Sequence, residues 1–312
     1  CSSRLISGLP ISVKDGVHVK GMPTSSGSKV MEGFMPEDDA TAVRLLREAG
    51  AIIMGKAHTH EFALGVTTPQ SRNPWDTSRD PGGSSGGSAI SVSTGMSYLS
   101  VGTDTRASIR VPASLCGTLG YKPTYGLVST DGIVTLSWSM DHTGLMGRTS
   151  EDVAIMMNII QGVDPKDSGT LDVPHDDYTD YLFKDVTGLR VRLVVEALEG
   201  ADPETLNTFH ACVDNYKSLG VEIVETKLPS AEDFRLANNM GLIISRTEAA
   251  TYHRAFPDAG PMYIKQVFEQ LDEAAKVTAV DYLTAQRFRS EFQERMFAEL
   301  QGFDAFIMPT TL

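Results

Sequence analysis

The run Pro81-Gly82-Gly83-Ser84-Ser85-Gly86-Gly87-Ser88 constrains this chain more than any other stretch. Four glycines within six positions allow backbone conformations that other residues avoid, and they let backbone N–H groups face a ligand. A plain surface loop rarely justifies that cost in chain entropy. A short helix and a strand later comes a second hydroxyl cluster, Gly102-Thr103-Asp104-Thr105-Arg106-Ala107-Ser108-Ile109-Arg110. Small apolar residues from Ser88 to Thr94 predict a buried helix, Tyr98 to Gly102 a core strand, and a second helix starts near Ser108. This order of loop, helix, strand and loop returns Ser108 to the neighbourhood of Ser84. A helix N-terminus there offers unpaired N–H groups and partial positive charge to a developing oxyanion. The stretch reads as an active site.

Three other readings compete for the glycine run. A phosphate-binding P-loop needs a lysine after its last glycine, and none follows here. The nucleophile-elbow pattern G-x-S-x-G occurs twice, around Ser84 and around Ser85, but the loop Trp75 to Pro81 precedes it where that fold has a strand. A flexible Gly/Ser linker does not usually lead into a helix without polar character.

The rest of the chain alternates helix and strand. Leu9 to Lys14 predicts a short strand that stops at Asp15-Gly16 and delivers Lys14 to its end, as a solvated lysine or as a buried base. Asp39 to Glu48 reads as a helix and Ala51 to Met54 as a buried strand. His58-Thr59-His60-Glu61 invites a metal reading, yet i, i+2 histidines on a helix point to different faces, so capping or packing is the alternative. Thr149-x-x-Asp152 and Thr278-x-x-Asp281 are capping boxes for helices running to Gly162 and Gln301. Arg190 to Val195 and Val221 to Glu225 are strands around a helix that starts at Pro203 with Asp202 as its cap. Ala231 to His253, behind Pro229-Ser230, and Met262 to Lys276 are further helices, Phe303 to Met308 is a last buried strand, and Cys212 is a small buried residue.

A net charge of −13, from 27 Lys plus Arg against 40 Asp plus Glu, argues against a direct grip on nucleic-acid phosphates or anionic lipid. Cys1, Cys116 and Cys212 show neither a disulfide framework nor a zinc spacing, which suits a reducing compartment such as the cytoplasm. No apolar run approaches the roughly 20 residues that a membrane helix needs. The chain is in the apolar run Leu5 to Val13 almost at once and stops inside its last strand, which reads as a piece of something longer.

With these residues laid out, the sequence resembles the amidase signature family. Gly8 to Asp15 looks like that family's lysine strand, Gly50 to Phe62 like its AGAxxxGKxxxxEF segment, and Asn73 to Ser88 like its NPWxxxxxPGGSSGGS loop. Gly102 to Ala113 is similar to GTDTGGSIRxPA, and Gly120 to Gly126 to GxKPTxG. The resemblance implies one large α/β domain over residues 1–312, with a central mixed β-sheet flanked by helices on both faces. Residues 8–162 would be the signature core and 163–312 a helix-rich remainder. It implies truncation at both ends, where missing sheet neighbours would leave an exposed edge or apolar face, with instability or association into a homodimer as the outcome.

The chemistry implied is hydrolysis of a linear, non-peptide amide, anilide or carbamate, with no metal or organic cofactor. Ser108 would be the nucleophile, Ser84 the bridging serine on a cis peptide after Gly83, and Lys14 the base. Backbone N–H groups of Thr105, Arg106, Ala107 and Ser108 would form the oxyanion hole. Ser85 would support the lysine, and Asp104 and Arg110 would brace the loop or be purely structural. Because lysine's free pKa is near 10.4, the site must favour its neutral form. Met22, Ile133, Trp138 and Met140 are pocket residues by position, with core packing as the alternative. The family usually has Gly-Gly where this chain has Arg106-Ala107. A need for positive φ at either position would strain the oxyanion hole, and a catalytically dead binding protein is the reading that follows. The remaining alternative is the glutaminase component of a tRNA-dependent amidotransferase, against which stand Ser108-Ile109-Arg110-Val111-Pro112-Ala113 and Trp138 to His142 where those proteins read SIRQPA and SSLDQ.

Overall fold

The computed structural model describes residues 6–228 and 231–311. Cys1 with the first residues of the opening run, the Pro229-Ser230 step and Leu312 lie outside them. The chain divides into two compact units, Cys1–Leu182 with Ser245–Lys276, and Phe183–Ile244 with Val277–Leu312.

In the first unit, β1 (Pro10–Lys14), α1 (Thr41–Glu48), β2 (Ile52–Ala57), α2 (Gly86–Ser93), β3 (Leu99–Asp104), α3 (Arg110–Cys116), β4 (Leu119–Tyr121), β5 (His142–Gly147) and α4 (Ser150–Ile160) follow in order. Five strands form one mixed sheet in the order β2-β1-β3-β5-β4. β1 runs parallel to both neighbours, and β5 is antiparallel to β3 and β4. Strand side chains alternate between faces, and this decides what packs where. Ile11, Val13, Val101 and Leu145 join Val43 and Leu46 of α1 and Val153, Met156, Met157 and Ile160 of α4 in one core. Met146, next to Leu145 in β5, packs instead with Ala89 and Val92 of α2, with Ile109 just before α3 and with Cys116 of α3. The mixed sheet thus carries helices on both faces, as expected.

β1 shows how this layering serves the site. Ile11 and Val13 go to the first core, so Ser12 and Lys14 project from the other face. Ser12 Oγ meets the hydroxyls of Ser91, Ser97 and Ser100 at 2.6, 3.1 and 2.8 Å, so the buried hydroxyl is satisfied. β2 extends past the expected Met54 because Lys14 pairs with Ala57, and the Asp15 N–H donates to the Ala57 carbonyl at 2.9 Å.

The second unit holds β6 (Arg190–Val194), α5 (Pro203–Ser218), β7 (Glu222–Thr226), the start of α6 (Ala231–His253), and, after α7 (Lys265–Ala274) of the first unit, α8 (Ala279–Leu300) and β8 (Ala305–Ile307). Its three strands form a separate parallel sheet ordered β7-β6-β8. The expected capping boxes at Thr149 and Thr278 both form, and Asp202 caps α5 with Pro203 in its first turn. Two expectations fail in this unit, and in the first unit the strand expected to be buried at Ala51 to Met54 leaves Ile52 and Met54 exposed, because β2 is an edge of its sheet. The closing strand is exposed to half-buried, because β8 is an edge of this small sheet. Cys212 is exposed, since α5 turns Phe209 and Val213 inward and leaves Cys212 on the outer side.

Candidate active site at the carboxyl ends of β1 and β3

β1 and β3 are parallel neighbours, so their carboxyl ends open together, the place where α/β sheets present chemistry. Lys14, at the end of β1, is 1% exposed. Its Nζ donates to Ser84 Oγ and to Thr103 Oγ1, both at 2.7 Å. Burial lowers the Lys14 pKa from 10.5 to about 7, against the opposing pull of the Asp104 and Asp141 charges. The amine is therefore poised between charged and neutral forms at neutral pH.

The Gly83–Ser84 peptide is cis, and Ser84 and Ser85 are buried. The glycines around them serve a different purpose from the expected one. Of Gly82, Gly83, Gly86 and Gly87 only Gly82 has positive φ. The other three are small because neighbouring groups lie against them: a Cβ on Gly83 would sit 2.1 Å from the Thr67 carbonyl oxygen, and one on Gly87 2.4 Å from the His58 nitrogen. Three N–H groups of the run are taken up within the fold. Ser85 N–H donates to the Ser108 carbonyl at 3.1 Å, Gly86 N–H to Thr68 Oγ1 at 3.1 Å, and Gly87 N–H to the His58 carbonyl at 3.1 Å. Gly87→Ala is expected to cost about 2 kcal/mol or more through overpacking against rigid backbone, read as a lower urea midpoint with an unchanged slope.

The bond from Ser85 to Ser108 joins the two hydroxyl clusters, and Ser108 enters the network through its carbonyl. Among the described residues its side chain makes no hydrogen bond, and it lines a cavity of about 190 Å³ with Thr105, Arg106 and Ala107. Leu136, Ala63, Leu64 and Val66 give that cavity apolar wall, while Ser245 and Arg246 of α6 and Gln266 and Gln270 of α7 give it polar wall. Ser85 Oγ donates to the Thr103 carbonyl at 3.1 Å, and Thr103 Oγ1 accepts from Lys14 Nζ. Ala107 has a positive φ of 157°, so the condition for strain is met at that position, while Arg106 is not among the residues of positive φ.

Asp104 and Arg110 form a two-pronged pair, with Arg110 Nε donating to Asp104 Oδ2 at 3.1 Å and Nη2 to Oδ1 at 3.0 Å. Asp104 Oδ2 also accepts from Ile109 N–H at 3.1 Å, which ties down the turn that carries Ser108. Burial pushes the Asp104 carboxyl up, but the Arg110 hydrogen bonds and charge together with the backbone donors hold it below the usual range. Arg110→Ala would leave a buried carboxylate without its cation. Because the Arg110 side chain is 44% exposed, the expected loss is about 2 kcal/mol rather than the full cost of breaking a buried pair, measured as a fall in Tm that Arg110→Lys partly restores.

Asp141 has no expectation attached to it in the sequence, yet it organises one wall. Its carboxylate accepts from Thr105 Oγ1 at 2.6 Å and from the N–H groups of Leu136 and Ser137 at 2.9 Å each. Burial raises its pKa to about 6, against these hydrogen bonds and the Lys14 charge. Glu248, on α6, accepts from Ser137 Oγ at 2.6 Å and Ser139 Oγ at 2.7 Å. Folding of residues 136–141 around Asp141 turns Leu136 to the cavity and leaves Trp138 half exposed. Of the four expected pocket residues, none lines this cavity: Met22 and Ile133 pack on the main core, and Trp138 and Met140 lie elsewhere on the 136–141 segment. His58 Nδ1 pairs with Ser71 Oγ at 3.0 Å, and the Glu61 carboxylate holds Ser28 Oγ at 2.6 Å and Ile264 N–H at 2.9 Å, which is the packing alternative for that cluster.

A family model described as Amidase matches residues 2–312. A protein called amidase from Pseudomonas putida is 42% identical over 308 residues, covering 98% of this chain and 65% of that relative. The A subunit of glutamyl-tRNA(Gln) amidotransferase from Nitratidesulfovibrio vulgaris is 48% identical over 236 residues, covering 73% of this chain and 48% of its own length. A solved structure described as a vestigial protein complex that reveals the evolutionary origins of an s-triazine catabolic enzyme superposes with a TM-score of 0.89 at 31% identity, covering 97% of this chain and 67% of that one. The chain thus spans about half to two thirds of the length of the curated relatives it matches.

Proposed function

The chain belongs to the amidase signature family, and on that premise we propose that it hydrolyses a linear, non-peptide C–N bond through Ser108, Ser84 and Lys14. The observation that carries this reading is the buried Lys14 amine, 2.7 Å from Ser84 Oγ and with its pKa lowered to about 7. A serine hydroxyl is a weak nucleophile until a base takes its proton. With Lys14 neutral, its lone pair accepts the Ser84 proton while Ser84 Oγ accepts that of Ser108. Ser108 Oγ then bonds to the substrate carbonyl carbon, and negative charge gathers on the carbonyl oxygen. Backbone N–H groups of Thr105, Arg106, Ala107 and Ser108 stabilise that oxygen, held in place by Asp104 beneath the turn and Asp141 against Thr105. Collapse breaks the C–N bond, the amine leaves with the proton returned through Ser84, and water releases the acyl group from Ser108 as an acid. Contact between Ser108 and Ser84 tightens in the substrate complex, as hydrogen bonds that are open in free enzymes commonly do.

The positive φ at Ala107 keeps a strained oxyanion hole, and with it the dead-site reading, as the alternative that the experiment must decide. A fluorophosphonate probe, with a panel of aliphatic amides, anilides, carbamates and glutamine, tests the proposal. Labelling on Ser108 and turnover of at least one amide are expected, and an unlabelled, inactive protein would sink it. The 48% identity to the amidotransferase protein supports a second reading, a glutaminase delivering ammonia to a partner. Hydrolysis confined to glutamine would favour that reading over the first.

A further inference from the structure

A tight turn supplies one side of the cavity at Ser108, and its backbone is strained. Phe62 and Ala63 follow one another with φ of 47° and 59°, in the left-handed region that non-glycine residues rarely occupy. Ala63, Leu64, Gly65 and Val66, where the chain leaves this turn, line the cavity. Such a conformation persists only where its surroundings hold it. The hold is on Phe62, which is buried and meets the His253 ring of α6 edge-on, with centroids 4.3 Å apart. Tyr252, Phe256 and Tyr263 complete a ring of aromatics around His253, at 5.4, 6.0 and 5.3 Å. His253 Nδ1 pairs with Tyr263 Oη at 2.7 Å, while Nε2 is buried and, among the described residues, has no hydrogen-bond partner. Gln270 Nε2, donating to the Leu64 carbonyl at 3.3 Å, is a second tie on the same wall and does not titrate.

We infer that neutral His253 is a positioning residue for the cavity at Ser108: it clamps Phe62 and so keeps the 63–66 wall in its strained form, which protonation of the ring releases. The clamp acts on the cavity wall, whatever chemistry Ser108 performs. An imidazolium donates from both nitrogens, and here the second donor would be buried without an acceptor, a larger cost than for the neutral ring. Other titratable groups face the clamp. The Glu61 carboxylate accepts from Ser28 Oγ and Ile264 N–H, and burial pushes Tyr252 up and, with the Glu61 charge, Tyr263 up to about 12. His60, just before the turn, pairs through Nδ1 with the Glu61 carbonyl at 3.3 Å, and burial lowers its pKa too. Burial lowers the His253 pKa from 6.5 to about 4, whereas a ring freed by opening returns to its ordinary value. Between these values an opened turn takes up the proton that the closed turn refuses, so opening becomes easier by up to about tenfold for each unit of falling pH. Above 6.5 the ring is neutral in both forms, and opening is indifferent to pH.

Hydrogen exchange of the full chain tests the clamp. The N–H groups of Phe62, Ala63 and Leu64 donate to the Ser26, His60 and Glu61 carbonyls at 2.9, 2.9 and 3.0 Å, so they report opening of the turn. Corrected for intrinsic exchange, their protection is expected to hold steady above pH 6.5 and to fall by up to about tenfold per unit from there toward about 4, while α4 keeps its own. His253→Phe retains a ring in the cage but cannot titrate, and its turn should exchange independently of pH over the same range. If that variant does not fold, His253→Gln carries the same comparison. The ring's own titration, followed by NMR through its carbon-bound protons, should have a midpoint well below 6.5. Protection that ignores pH in the unmodified protein, an equal loss in α4, or a midpoint near 6.5 would overturn the inference. So would an acid response that survives His253→Phe, since His60 or Glu61 would then be its source.

Discussion

Ser108→Ala is expected to lower kcat for amide hydrolysis by about 10⁴-fold or more, the scale at which removal of a serine nucleophile leaves only binding and oxyanion stabilisation. The protein itself should stay folded. Ser108 is anchored by its backbone, whose carbonyl accepts from Ser85 N–H at 3.1 Å, and its side chain opens on the cavity without a hydrogen bond to lose among the described residues. Stability should therefore change by no more than about 0.5 kcal/mol, so that lost activity reports chemistry. Fluorophosphonate labelling should vanish with it. Ser84→Ala makes the complementary case, since Ser84 is wholly buried and holds Lys14, so both rate and stability should fall. Retention of full activity in Ser108→Ala would remove the nucleophile from the mechanism, whatever the behaviour of Ser84.

The positions of Ser108, Ser84 and Lys14 were legible locally, whereas their proposed roles came from the family resemblance. Each sits where a short strand or a glycine-rich turn must end, and turn chemistry is written in neighbouring residues. The strands β1 and β3 and the capped helices α4, α5 and α8 were legible for the same reason. The cavity wall was not. Arg246, Gln266 and Gln270 look like ordinary polar positions on helices, and only the tertiary fold brings them more than a hundred residues back to Ser108. Asp141 was hidden by the same distance from Lys14, although the charge of each acts on the other. The glycine run was recognised for a partly wrong reason. Conformational freedom is needed at Gly82, while Gly83, Gly86 and Gly87 are there because Thr67, Thr68 and His58 approach too closely for a side chain, which no local pattern encodes.

Lys14→Met should reduce kcat/KM by about 10³- to 10⁴-fold, the contribution of a positioned base. Methionine keeps the length and apolar stem of a side chain that is already buried, so the variant tests proton transfer with little change in volume. Lys14→Arg tests the opposite case, because a guanidinium cannot be deprotonated in a protein and would be locked as a buried cation. It should be as inactive and less stable. The pH profile gives the sign independently. Only neutral Lys14 can accept the Ser84 proton, and its pKa is about 7, so kcat/KM should rise with pH through that value. Well below it the rate should fall by about tenfold for each pH unit, and well above it the rate should level off. Asp104 and Asp141 hold the Lys14 pKa up against the larger effect of burial. Asp141→Asn removes one of those charges while keeping an acceptor for Thr105, so the midpoint should move to lower pH. A midpoint that stays in place in Asp141→Asn, or a rate that falls as pH rises through 7, would assign the titration to another group and Lys14 to a structural role.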